Sequence, residues 1–144
     1  MTKLRIEGEV DAPGALGFDE LAELAEQIDD VGALVPGRKG GAVRLRTLFA
    51  AVRVRPTAQW VTLGAADGSF AISVPHDAIA ERGLLVYRLG DGTLPSTSGG
   101  PLRVLIVDAS ECGGHELDTC ASVKDLGIIR LTAEREPDVG HIHR

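Results

Sequence analysis

Aromatic side chains are scarce: the 144 residues include 3 Phe, 1 Trp and 1 Tyr. A core must therefore be assembled mostly from Val, Leu, Ile and Ala. No apolar run approaches the roughly 20 residues a spanning helix needs, which argues against a membrane role. Positive charge is also in deficit, with 15 Lys and Arg against 21 Asp and Glu and a net charge of −6. Phosphate backbones are bound by net basic faces, so a nucleic-acid partner is not expected. The N-terminal "MTKLRIEGEV" alternates charged and apolar residues and lacks the apolar core of a signal peptide. With only 2 cysteines and no export signal, a reduced cytoplasmic setting is the expectation.

What is present suits a soluble globular chain: 44% hydrophobic and 25% charged residues, at a length that supports one core. Leu4, Ile6 and Val10 fall on one side of a period-two pattern, predicting a half-buried strand. Phe18, Leu21, Leu24, Ala25 and Ile28 recur at helical spacing behind Asp19 and Glu20, predicting a helix from Phe18 to Ile28. "AVRLRTLFAAV" starts extended and becomes a short helix over Arg46 to Val52. "QWVTLGAADGSFAISVP" reads as a hairpin turning at Asp67-Gly68. "HDAIAE" allows at most a short helix, and "GLLVYRLGDGTLP" gives another strand and turn. The apolar run "PLRVLIVDA" predicts a central strand covered on both faces, and "DLGIIRLTAE" a last strand. The total is about six or seven short strands with one or two helices, an α+β, β-rich fold. Residues 1–134 form one compact domain, and 135–144 a polar tail with the composition of a mobile segment. Expected core residues are Leu21, Leu24, Ile28, Val61, Leu63, Ile72, Leu85, Val104, Ile106, Ile128 and Leu131.

Chemistry-bearing residues concentrate in "ECGGHELDTCASVK". Cys112 and His115 have C-x2-H spacing, Cys120 lies within a loop's reach, and His141 and His143 form an H-x-H pair. Thiolate with imidazole suits zinc, which makes a zinc-binding module one reading. A short Cys112–Cys120 disulfide and two plain reduced thiols are the others. A thiolate–imidazolium nucleophile at these positions lacks oxyanion donors. Ser98, His76 and Asp77 make no better triad. "GRKGG" offers glycines and two cations to an anion but lacks the spacing of a phosphate-binding loop, so it reads as a solvated turn.

The order "AVRLRTLF", "LLVY", "GDGTLPSTSGGPLR" and "CASVKDLGIIRL" resembles the molybdopterin-binding domain of the sulfite oxidase family of oxidoreductases. The likeness runs from about Leu4 to Ala133, with "G-P-L-R" at Gly100 to Arg103 and "V-K" at Val123-Lys124. It implies the β-rich fold of that family and a molybdopterin cofactor. It also implies that Arg103 and Lys124 present cations to the pterin's phosphate, as a guanidinium fork and an ammonium would do. In catalytic members a cysteine between the first helix and the "G-V-x-L" motif ligates molybdenum. Here that interval, "DDVGALVPGRKGGAV", has no Cys. The tryptophan that often follows "V-K" is Asp125.

The resemblance with its departures implies a small, degenerate and non-catalytic domain acting as a binding or structural module with a small-molecule or cofactor ligand. Two alternatives stay open, so enzymatic activity is undecided. One is a molybdopterin-dependent oxidoreductase with a non-standard metal ligand. The other is a zinc module on Cys112, His115 and Cys120, which predicts stoichiometric zinc in elemental analysis of the purified protein. That zinc should disappear in Cys112→Ser.

Overall fold

The structure is a computed structural model that describes residues 3–107 and 122–139. In chain order the elements are β1 (Leu4–Gly8), β2 (Gly14–Leu16), α1 (Phe18–Ala22), β3 (Gly41–Arg44), α2 (Leu45–Val52), β4 (Trp60–Ala65) and β5 (Ala71–Pro75). They continue with α3 (His76–Arg82), β6 (Gly83–Leu89), β7 (Gly92–Thr93), β8 (Arg103–Ile106) and β9 (Leu126–Thr132). One sheet has the order β2-β1-β9-β4-β5; in the other, β3, β6 and β7 are neighbours and β8 also pairs with β6.

The core follows from period-two burial on both sheets. Leu4 and Ile6 of β1, Val61 and Leu63 of β4, and Ile129 and Leu131 of β9 join Val43, Leu85, Tyr87, Val104 and Ile106 of the other sheet in one buried cluster. The alternate residues Ala42, Leu84, Val86 and Leu105 form a second, smaller cluster with Val31 and Leu94, against which Ile28, Leu34 and Val35 pack. The second sheet is thus apolar on both faces. This explains why the "RVLI" of β8 lacks polar alternation. Leu24, Ile28, Ile72 and Ile128 of the expected core are only partly buried.

One expectation is corrected. The first helix stops at Ala22 and does not reach Ile28. The Gln27 side-chain amide donates to the carbonyls of Leu21 (2.8 Å) and Leu24 (2.9 Å), taking acceptors that a continuing helix would fill. Ile28 instead exchanges backbone bonds with Ala42, 2.8 and 2.9 Å, so it is held as a strand-like bridge. β8 is covered on both faces by the two clusters, and among the described residues it has a strand ladder with β6, while β9 pairs parallel with β1 and antiparallel with β4.

Residues 136–139 are tied to the first sheet. Glu136 accepts from the Thr62 hydroxyl at 2.7 Å and from Arg130 Nη1 at 3.0 Å. Asp138 Oδ1 accepts from the Ser73 amide at 3.1 Å, and Val139 forms a two-bond bridge with Ala71 on β5. Burial works to raise the Glu136 pKa, but the Thr62 hydroxyl and Arg130 outweigh it and leave it below the ordinary value. A carboxylate whose pKa is depressed on folding contributes stability above its unfolded pKa, near 4.3, and that stability is lost as pH falls through the folded value. Because Thr62 is buried, Glu136→Ala leaves its hydroxyl without an acceptor and is expected to cost about 1–2 kcal/mol at pH 7. In urea melts the gap to wild type should narrow as pH falls below about 4, where the charge-dependent part is lost.

Candidate anion-binding site

Two chain segments that are far apart in sequence are laced together at one end of the second sheet. Val104 N donates to Val123 O (2.9 Å), Leu126 N to Leu102 O (2.8 Å), and Asp125 N to Gly99 O (2.8 Å). These bonds set Lys124 beside the start of β8, where Arg103 stands. A 3₁₀ turn over Ser96–Ser98 precedes it and ends at Gly99, whose φ of 89° is in the left-handed region that favours glycine. A Cβ on Gly99 would lie 2.9 Å from Arg103 Nη1 and would push the guanidinium aside. The third contributor is the loop following Pro36, which turns on an Arg38 N to Val35 O bond of 3.2 Å.

The result is a pocket of about 290 Å³ whose lining includes Arg38, Lys39, Ser98, Gly99, Arg103 and Lys124. Four cationic side chains meet there, and among the described residues no carboxylate lines the pocket. Arg38, Lys39 and Lys124 are exposed, but Arg103 is only 5% exposed. Its Nη1 donates to Ser98 O at 3.2 Å, and its buried Nε has no hydrogen-bond partner among the described residues. Burial first, and the Arg38 guanidinium second, hold the Arg103 pKa below the ordinary arginine value. A buried cation facing like charge, with an unfilled donor, is electrostatically costly until an anion supplies acceptors. The arrangement suits a phosphate, because a guanidinium fork and neighbouring ammonium groups match its oxygens.

Arg103 and Lys124, selected from the sequence, are therefore brought to one pocket. Arg38 and Lys39 were missed as site residues because "GRKGG" reads as a solvated turn. The signal was the pair of adjacent cations between glycines. The proposed zinc ligands Cys112, His115, Cys120, His141 and His143 lie outside the described residues. Among the described residues, no group of three or more His, Cys, Asp or Glu side chains could hold a metal ion, and no helix is long and apolar enough to cross a membrane. His76 Nδ1 lies 2.9 Å from Asp77 Oδ1 and its ring stacks on Phe49, but these residues line a separate cavity from Ser98. The triad has no geometric basis.

A family model described as the oxidoreductase molybdopterin binding domain matches residues 39–138. No curated protein matches the chain. Among solved structures, the sulfane dehydrogenase SoxCD from Paracoccus pantotrophus is similar in fold, with a TM-score of 0.67 and 17% identity. The likeness covers 93% of this chain and 39% of that one, so the present chain corresponds to less than half of that protein's chain.

The unpaired state of Arg103 generates a stability prediction. Replacing a buried, poorly compensated charge by an apolar side chain of similar length is often neutral or stabilising. Arg103→Met is expected to be neutral or up to about 2 kcal/mol more stable than wild type in urea melts run without phosphate or sulfate.

Proposed function

Because the chain belongs to the oxidoreductase molybdopterin-binding domain family, we propose that it is a phosphate-anchored binding module that holds its ligand through Arg103 and Lys124 without redox catalysis. The observation that carries this reading is the buried Arg103 Nε, unpartnered in a pocket of four cations. An anion at that pocket removes the cost described above, so the protein itself gains from binding one.

The residues present fit the phosphate of a molybdopterin. Arg103 supplies a rigid, planar set of donors from the base of the pocket, and Lys124 supplies a mobile ammonium at its rim. In catalytic members of the family, the molybdenum held on the pterin and ligated by a protein thiolate supplies oxygen-atom transfer. Nothing comparable is offered by the corresponding interval of this chain. Both cysteines lie beyond it, at 112 and 120, and its contribution to the pocket is the hard cations Arg38 and Lys39. Cations repel a metal ion where a soft thiolate would bind it. That contrast supports binding without oxygen-atom transfer.

Thermal melts with inorganic phosphate provide the test. Phosphate should raise the melting temperature of wild type, by the equivalent of about 2.7 kcal/mol at a hundredfold excess over Kd, and should leave Arg103→Met unmoved. Equal shifts in both proteins would overturn the anchor. Elemental analysis of protein purified from cells that make the cofactor tests the non-catalytic part, which stoichiometric molybdenum would overturn.

A further inference from the structure

A single phosphate ester leaves this pocket overcharged. At pH 7 such a group carries about −1.5 to −2, whereas Arg38, Lys39, Arg103 and Lys124 bring four positive charges. Arg103 and Lys124 suffice for one phosphoryl group. Arg38 and Lys39 are then left with no anionic partner in the pocket, since no described carboxylate lines it. The two pairs also come from different parts of the fold. Arg103 and Lys124 are fixed by the lacing between 99–104 and 123–126, and Arg38 and Lys39 by the separate loop before β3.

Like charge is concentrated across this gap, with the Arg38 guanidinium close enough to depress the Arg103 pKa further than burial alone does. Compensation therefore requires acceptors reachable from both sides at once. A chain with net charge −6 that nevertheless keeps four cations and no described carboxylate around one cavity has a local potential opposite to its global one.

We infer that the pocket is built for a ligand carrying two adjacent phosphoryl groups, a diphosphate, with Arg103 and Lys124 on one phosphoryl and Arg38 and Lys39 on the other. This rests on the phosphate-binding reading above and narrows its ligand class. No bond is made or broken. The diphosphate is recognised by charge and by its doubled set of acceptor oxygens.

Isothermal titration of the full chain with orthophosphate and with pyrophosphate, at matched ionic strength and with chelator present, is the test. Pyrophosphate should bind at least about tenfold more tightly than orthophosphate, in keeping with two additional charge-assisted contacts. The double variant Arg38→Ser/Lys39→Ser should lose the preference for pyrophosphate, and because both side chains are exposed their removal spares the fold. Melting temperatures in anion-free buffer check that folding is intact. Arg103→Met should bind neither anion. Equal affinity of wild type for the two anions overturns the diphosphate assignment while leaving the phosphate anchor standing. So does a preference that survives in the double variant. Binding of neither anion by wild type overturns both.

Discussion

The lacing of residues 99–104 to residues 123–126 is the constraint from which both the fold and the pocket follow. Its three backbone bonds, 2.8 to 2.9 Å long, join the edge of one sheet to the strand that lies in the middle of the other. β9 can accept β1 on one side and β4 on the other only if its first residue is delivered at the right height, and the Leu126 to Leu102 bond does that. The same bonds place Lys124 near Arg103, so cation placement is a by-product of sheet assembly. Sites built on such strand ends are held more rigidly than sites on free loops.

The pocket illustrates a conflict between stability and binding. Arg103 is buried beside another guanidinium, with one of its N–H groups unfilled. Coulomb repulsion and desolvation both weigh against the folded chain at this point, and neither is relieved by a described carboxylate. The apolar clusters on either side of the second sheet supply the compensating burial. A side chain kept under such conditions is better explained by what it binds than by what it contributes to folding.

Much of the architecture was legible because it rests on period-two burial. The Trp60 to Pro75 hairpin, the strand beginning at Gly83 and the last strand all follow from alternation punctuated by Asp-Gly turns or glycine. The first helix fell short because tertiary partners overrode local pattern. Helical spacing from Phe18 to Ile28 was real, but Gln27, itself tied to the Tyr87 hydroxyl at 2.6 Å, intercepted the carbonyls that the helix needed. The apolar run of β8 follows from its burial between the two clusters. Arg103 and Lys124 were identified through family resemblance, not through spacing. Arg38 and Lys39 escaped because nothing in a glycine-flanked basic pair states which distant strand it will face.

The bridge between Ala71 and Val139 has a consequence for how this molecule behaves among its own copies. Among the described strands β5 is the outermost of the five-stranded sheet, and the backbone groups of such an edge are a template on which another chain could add a strand. Residues 136–139 occupy part of that edge through the Val139–Ala71 bridge, the Asp138 carboxylate on the Ser73 amide and the Glu136 amide on Ser73 Oγ. A chain cut at residue 134 would lose that cover while keeping the residues of both hydrophobic clusters and the pocket. The backbone that ends the described chain thus takes up pairing positions that a second copy would otherwise meet.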